Sequence, residues 1–365
     1  MNRELLKKHF EQTPRMAPTD AVKLAFQSAF GCGHLLCDAS ACTDFVRREM
    51  AQIPKDASMP AFTPIGGCMC RLNLASPAVR ALSPERITEM MLLTSERIQA
   101  RYDNAERFEN ALLQINSAAK SGEAPFSVSE LESYLAPYRA QGCPPVSHSE
   151  TYRQAYHPAY RVVLTDLALL APIMVELDSG RRNVVVIDGL CGSGKTTLAA
   201  LLGRMYGVSP IPMDDFFLSF DLRTAERLST PGGNVHYERF QQEVLFQLQP
   251  GHPIAYRRFD CATGSFIPKE FPASGIIIVE GSYSHHPAFE ADWQRLNALR
   301  VFVETDAQEQ MRRIHRRNPD MAETFRTRWV PLEKNYFEAY DIRNRADQVL
   351  TSQPWNRSLT KEASQ

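Results

Sequence analysis

The sequence predicts a parallel α/β domain in its second half, preceded by a mostly α-helical N-terminal domain. Three observations carry that expectation. The chain has 365 residues, beyond the size at which a single hydrophobic core ordinarily keeps growing. From about residue 183 onward, short β-branched runs alternate with helical stretches, the pattern of a parallel sheet covered on both faces. Before that point helical spacing dominates.

In the first half, "DAVKLAFQSAF" carries apolar residues near helical spacing, with Asp20 as a candidate cap. "MPAFTPIGGCMCRLNL" is a short extended piece punctuated by Pro and Gly. "SPERITEMMLLTSERIQARYDNAERFENALLQI" reads as one long amphipathic run, with Ser83 as cap and Pro84 in the first turn. "LAPYRAQGCPPVSHSETYRQAYHPAY" is a Pro-rich connector. Its Tyr152, Tyr156 and Tyr160 are spaced as on one helix face, with a break expected at Pro158. These rings are expected to pack against the second domain rather than to stack on bases. "YRVVLTDLALLAPIMVEL" reads as a helix leading into Asp178, Ser179 and Gly180, which gives domains at 1–180 and 181–358. The strands expected beyond it are "NVVVID", "SPIPMD", "GIIIVEG", "LRVFVET" and "ADQVL".

Hydrophobic residues make up 44% of the chain, charged residues 23%, and the formal net charge is -1. That balance supplies no field to attract nucleic acid or an anionic membrane, so the expected partner is a small molecule or another protein, and a homo-oligomer is compatible with it. The chain shows no apolar run of membrane-spanning length, and "MNRELLKKHFEQTP" lacks the apolar segment of a secretory signal. A cytoplasmic location is expected, and with it free thiols rather than structural disulfides for the eight cysteines. Cys32, His34, Cys37, Cys42, Cys68 and Cys70 could supply a tetrahedral zinc site. Their spacing is loose for that purpose and fits a small apolar helix face better.

The strongest local signal is "VVVIDGLCGSGKTT". Gly189, Gly194, Lys195 and Thr196 satisfy G-x-x-x-x-G-K-[ST], between an apolar strand and the helix-like "TTLAALLGRMY". In such a loop the backbone N–H groups of Gly192, Ser193, Gly194, Lys195, Thr196 and Thr197 and the positive end of the helix face bound phosphates. Lys195 adds a mobile cation and Thr196 a hydroxyl for Mg²⁺.

Ligands of open α/β sheets bind beyond the carboxyl ends of the strands. The strand "SPIPMD" ends in Asp214 and Asp215, either of which could accept a proton from a hydroxyl during phosphoryl transfer. "IIIVEGSYS" places Glu280 at the same rim, where a carboxylate can help to hold Mg²⁺. In "DAQEQMRRIHRRNPDM", Arg312 and Arg316, and likewise Arg313 and Arg317, share helix faces at a repulsive cost of roughly 0.2–0.5 kcal/mol per pair that a polyphosphate would reverse. The plainer alternative is a solvated basic face balanced by Asp306 and Glu309. "STPGGNVHYERF" and "IAYRRFDCATGSF" are aperiodic and polar, so His236, Tyr237, Arg239, Tyr256, Arg258 and Asp260 are either an acceptor pocket or surface.

Taken in order, "GLCGSGKTT", "MDDFF", "GGNVHYERF", "YRRFD", "VEGSYS", the arginine segment and "WVPLEKNYFEAYDIRNRADQVL" resemble the uridine kinase and phosphoribulokinase family of P-loop kinases, over about Asn183 to Trp355. The resemblance implies a five-stranded parallel core. It also implies transfer of the γ-phosphate of ATP, with Mg²⁺, to a hydroxyl of a nucleoside or another small molecule. It makes Asp214 the general base with Asp215 as the lesser candidate, matches Glu280 to the acid after the third strand, and makes Arg312 and Arg316 lid arginines. Tyr256 falls near a base-stacking aromatic. Two departures bear on the acceptor: His236 stands where uridine kinases usually carry a ribose-contacting Asp, and "YRRFDCATGSF" departs from their pyrimidine-reading pattern. Pantothenate, ribulose phosphate or another sugar therefore stay open as acceptors. A protein of another class, in which ATP occupancy switches the helical half, stays open as well.

Overall fold

The computed structural model describes residues 2–36 and 38–352. The chain divides into two compact units between Ala171 and Pro172. Cys37, Trp355 and the expected domain end at residue 358 lie outside the described residues.

The first unit contains helices α1 (Arg3–Gln12), α2 (Pro18–Phe30), α3 (Ala39–Gln52), α4 (Pro84–Gln99), α5 (Asn104–Lys120), α6 (Val128–Ala140), α7 (Glu150–Tyr156) and α8 (Thr165–Leu169). Strands β1 (Phe62–Gly66), β2 (Met69–Asn73) and β3 (Tyr160–Leu164) form an antiparallel sheet in the order β1-β2-β3. β2 is buried at every position, as a central strand covered on both faces must be. The sheet corrects one expectation: "YRVVL" is a strand, and helix begins only at Thr165. A short apolar run cannot be told from buried helix by periodicity. Here the deciding partner is β2, remote in sequence, which pairs Met69 with Leu164 and Asn73 with Tyr160.

Other local expectations shift for local reasons. Asp20 sits in the first turn of α2 rather than at its cap, and its Oδ2 accepts the Ala17 N–H at 3.0 Å. The long amphipathic run breaks into α4 and α5, where Asp103 begins a new helix and holds Arg107 at 2.8 Å. His157, at φ +42°, ends α7 ahead of Pro158, so Tyr160 leaves the helix face of Tyr152 and Tyr156 and joins β3. Cys32 and Cys70 are buried, which pushes both thiols up, Cys32 to about 12. Among the described residues no group of three or more His, Cys, Asp or Glu stands close enough to hold a metal ion.

The second unit opens with α9 (Ala171–Asp178). Its elements are β4 (Val184–Gly189), α10 (Lys195–Tyr206), β5 (Ile211–Pro212), α11 (Ala225–Ser229), α12 (Tyr237–Phe240), β6 (Ile254–Asp260), β7 (Ser265–Phe271), β8 (Ile277–Glu280), α13 (Glu290–Arg295), β9 (Leu299–Glu304), α14 (Ala307–Arg317), α15 (Ala322–Thr324), α16 (Val330–Ala339) and β10 (Gln348–Thr351). Five strands, all parallel, form a sheet in the order β10-β9-β4-β8-β5. β4 lies at the centre, buried along its whole length. Val184 and Val186 pack with Phe240, Phe289, Trp293 and Tyr336 in a core cluster of this unit, each large side chain contributing roughly 1.5–3 kcal/mol on burial. The strand expected in "SPIPMD" pairs only over Ile211 and Pro212, after which Met213–Phe216 turn in a 3₁₀ helix. Pro212 offers no N–H to a ladder and stands on the sheet edge, where such a residue is tolerated. The segment expected to be irregular around Tyr256 is instead the hairpin of β6 and β7, separate from the main sheet. Among the described residues no helix is long and apolar enough to cross a membrane.

The junction of β4 with the loop that follows requires glycine. Gly189 has φ +139°, and a Cβ there would stand 2.0 Å from the Val303 carbonyl oxygen on β9. At Gly207, the left-handed cap of α10, a Cβ would meet nothing within 4 Å. Gly207→Ala is therefore expected to cost roughly 1 kcal/mol of unfolding free energy and Gly189→Ala at least about 2 kcal/mol more. Chemical denaturation of the two variants checks this, and equal costs would contradict the crowding at β9.

Candidate functional site

The loop between β4 and α10 is shaped by its glycines. Gly192 lies at φ +74° and Gly194 at φ +103°, and a Cβ on Gly192 would press on Ile314 at 3.2 Å and on the Gln310 carbonyl at 3.3 Å. The first turn of α10 starts at Lys195, so its N–H groups, without partners inside the helix, open into the loop. The Lys195 ammonium is mostly buried and donates to the carbonyls of Gly189 at 2.7 Å and Leu190 at 2.9 Å and to the Ser282 hydroxyl at 3.2 Å. The Ser193 hydroxyl is buried and has no hydrogen-bond partner among the described residues. Thr197, one residue beyond Thr196, is half-buried in the same turn of α10.

Two buried carboxylates, both missed in the sequence, hold this loop. Asp188 is fully buried and accepts from the N–H groups of Gly189 (2.7 Å), Tyr283 (3.2 Å) and His285 (2.9 Å) and from the Tyr336 hydroxyl (2.9 Å). Tyr283 pays for its part in backbone strain, at φ +75°. Glu333 on α16 accepts from the Cys191 N–H at 2.7 Å and from the Ser282 hydroxyl at 2.6 Å, so it touches the loop directly and Lys195 through Ser282. Burial, with Glu333 beside it, pushes the Cys191 thiol to about 12, which leaves it a neutral small side chain. The available signal for Asp188 was its place at the end of the apolar strand. Glu333 lies far away in sequence and carried none.

The acids expected at the rim are sorted by their surroundings. The Thr196 hydroxyl donates to Glu280 Oε2 at 3.2 Å. Glu280 is mostly buried, and burial raises its carboxyl above the ordinary range with help from Asp214, against the pull of Lys195, the Thr196 hydrogen bond and Arg317. Asp214 is exposed to solvent. The protein atoms packed around its carboxyl still raise it by desolvation, opposed by Lys195 and Arg317 and reinforced by Asp215. Asp215 is buried and committed: its Oδ2 accepts from the Tyr256 hydroxyl at 2.6 Å and from Lys269 at 3.0 Å, and its backbone carbonyl accepts from Arg239 at 2.8 Å.

The basic helix α14 separates its two arginine pairs. Arg312 turns back on Glu309, at 2.6 and 2.7 Å, with nearly half its side chain exposed. Arg313 also meets Glu309 at 2.6 Å but reaches on to the carbonyls of Gly192 (3.2 Å) and Ser193 (3.0 Å) in the loop. The charge of Arg317 is felt by both Asp214 and Glu280. Arg316 is on the same helix. The Glu309 carboxylate thus balances part of the basic face, while Arg313 and Arg317 act on the loop and its acids.

The other expected pocket residues divide in the same way. Tyr256 is 3% exposed, its ring packed beside Phe216 and Phe271, so its hydroxyl rather than a ring face meets the polar site. Arg239 is buried over the Phe216 ring at 4.4 Å, and burial lowers its guanidinium from the ordinary range. His236 caps α12 by accepting the Arg239 N–H at 3.2 Å, and burial keeps its imidazole lowered and neutral. Tyr237 stacks on His286 at 4.7 Å and takes a hydrogen bond from Arg227 at 2.6 Å. Arg258 and Asp260 pair with each other on the hairpin at 3.6 Å. Asp215, Arg239 and Tyr256 are thereby brought together by direct contact, whereas Tyr237 and the Arg258–Asp260 pair make other partners.

The residues present fit a nucleotide phosphate chain with a hard divalent cation. The glycine-shaped loop, the unpartnered Ser193 hydroxyl and the Lys195 ammonium suit phosphate oxygens. Thr196 and Glu280 supply oxygen ligands without a full protein cage, which is how Mg²⁺ is commonly held beside substrate phosphates.

No protein-family model matches the chain, and no curated protein matches it either. Among solved structures, 46% of the chain is similar to 88% of a possible uridine kinase from Bacillus stearothermophilus, with 24% identity and a TM-score of 0.34. The same share of the chain is similar to 89% of a protein assigned as a fructose transport system kinase in Silicibacter sp. TM1040, with 23% identity and a TM-score of 0.34. At that level of likeness the chemistry has to come from the residues of this chain.

The raised Asp214 carboxyl has a consequence for stability. A carboxyl whose proton is held more tightly in the folded state favours folding fully below its unfolded pKa, near 3.9, and loses that contribution as pH rises through the folded value. Asp214→Asn is therefore expected to raise the thermal midpoint at neutral pH, with the gain vanishing below about pH 4. An unchanged or lowered midpoint at neutral pH would contradict the desolvation of this acid. Removing the Lys195 cation by Lys195→Met should move both Asp214 and Glu280 further up in an NMR titration of carboxyl carbons.

Proposed function

We propose that the second unit is an ATP-dependent kinase that phosphorylates a hydroxyl of a small molecule, a nucleoside being the first candidate and pantothenate, a sugar or a sugar phosphate the others. The observation that supports it best is one shared field: Lys195 and Arg317 act together on Asp214 and Glu280, beside a glycine-shaped loop at the carboxyl edge of a parallel sheet. A site for hydrolysis or switching alone has no need of a second, solvent-open carboxylate at that edge.

Bound at the loop, ATP with Mg²⁺ supplies the γ-phosphoryl group and the charge that neutralises its oxygens. The amides of Gly192 to Thr197 and the Ser193 hydroxyl hold phosphate oxygens, and Lys195 presents its ammonium to them. Thr196 and Glu280 would hold the metal. Asp214 takes the proton of the acceptor hydroxyl, its raised proton affinity making it the better base. Asp215 is spent on Tyr256 and Lys269, so its part is to fix the acceptor pocket rather than to carry the proton. Arg317 steadies developing negative charge from α14, while Arg312 is held by Glu309 beside the site.

Lys195→Ala is expected to abolish phosphoryl transfer with the fold retained, and Asp214→Asn to lower kcat by roughly 10² to 10⁴. Asp215→Asn should act mainly on the KM of the acceptor. ATP consumption with and without a panel of nucleosides and sugars measures all three. Stimulation by one acceptor supports the kinase. Undiminished turnover in Lys195→Ala, or hydrolysis indifferent to every acceptor, overturns it and favours an ATP-switched binding protein.

A further inference from the structure

The first unit has a pocket of about 220 Å³ between α2, the turn after it, β3 and the connector that precedes α7. Its lining includes Lys23 and Gln27 on α2, Cys32 and His34 in the turn, Val146 in the connector and Val162 on β3. The space equals roughly seven waters and falls below the roughly 300 Å³ at which pockets for drug-sized ligands begin.

Around this pocket positive charge exceeds negative. Lys23 lies at its polar end, its ammonium donating to the Val146 carbonyl at 2.8 Å. Behind Gln27 stands Arg71, 5% exposed, whose guanidinium donates to Gln27 Oε1 at 3.0 Å and to the Tyr152 hydroxyl at 3.3 Å and lies over the Tyr160 ring at 4.4 Å. Neither cation has a carboxylate at ion-pair distance among the described residues. Asp20 is the nearby acid. It accepts from His148 at 2.8 Å, from Ser149 N at 2.9 Å and Oγ at 2.7 Å, and from Ala17 N at 3.0 Å. Burial would raise its carboxyl, but these bonds outweigh that and hold it below the ordinary range. It answers at most one cation, through a chain from His148 to Tyr160 (2.6 Å) and on to Gln27.

The consequence appears at Lys23. Its ammonium is lowered to about 8, chiefly by burial and then by Arg71 and Arg153, with Asp20 opposing them. Burial also lowers His34, and lowers His148 to about 4, while it raises Cys32 to about 12, so Lys23 is the lining group that changes charge near pH 8. Enclosed cations without a counter-charge cost free energy that an anion in the pocket would recover.

We infer that this pocket binds a small organic carboxylate, its charged end against Lys23 and Gln27 and its short apolar body against Cys32, Val146 and Val162. A phosphate fits less well, because its additional oxygens need more donors than one ammonium, one amide and a rim imidazole provide.

Calorimetric titration of the full chain with butyrate, butanol and inorganic phosphate tests this. Butyrate should bind at least ten times more tightly than either of the others, and its affinity should fall as pH rises through about 8. Lys23→Gln should weaken butyrate at least tenfold and leave butanol unchanged, Lys23→Arg should retain most of the butyrate affinity, and Lys195→Ala should have no effect. Butyrate binding no tighter than butanol, insensitivity to Lys23→Gln, or loss in Lys195→Ala would overturn the inference. If Lys23→Gln loses its cooperative unfolding, the wild-type pH series decides: a flat affinity between pH 7 and about 9 also overturns it.

Discussion

The buried carboxylate of Asp188 is the constraint on which the second unit is organised. A carboxylate taken fully out of water costs several kcal/mol unless its oxygens are answered. Here they are answered by the N–H groups of Gly189, Tyr283 and His285 and by the hydroxyl of Tyr336. Those donors come from the start of the loop, the segment after β8, and α16, so satisfying one side chain fixes three parts of the chain against the end of the central strand. Tyr336 is fully buried as well, and burial beside Asp188 raises its phenol far above the ordinary range, so it stays a donor at any accessible pH. Glu333, on the same face of α16, extends the arrangement to Cys191 and Ser282. The loop is thus braced by anions behind it while its open side keeps the N–H groups and Lys195.

Residues of one chemical type receive different tasks from their surroundings. Asp188 is structural because every lone pair direction is filled from the backbone and Tyr336. Asp215 is committed to Tyr256 and Lys269. Glu280 is paired with Thr196 under the field of Lys195. Asp214, one residue from Asp215, is the acid left open to solvent with its proton affinity raised. The 3₁₀ turn over Met213–Phe216 produces that difference, because it points successive side chains in different directions where a continued strand would merely alternate them.

Much of this was legible in the sequence where the determinants are local. The strand, loop and helix around Lys195 follow from an apolar run, glycines at required positions and a helix former after them, and the rim acids follow from their place after strands. What was not legible depends on partners remote in the chain. "YRVVL" becomes a strand because β2 is there to pair with it. Glu333 is a loop ligand only because α16 packs beside Ser282. Arginines spaced four apart on α14 look alike in sequence, yet Glu309 captures Arg312 while Arg313 reaches the loop carbonyls. A ring at position 256 suggests stacking, but its burial beside Phe216 and Phe271 turns it into a hydroxyl donor.

The central claim is that the braced loop and the open Asp214 together move a phosphoryl group onto a hydroxyl rather than onto water. ³¹P NMR of the protein with ATP, Mg²⁺ and a mixture of nucleosides and sugars observes the fate of that group directly. A new phosphomonoester resonance growing in step with ADP is the predicted result. Inorganic phosphate as the sole product, whatever hydroxyl compounds are present, would contradict the account.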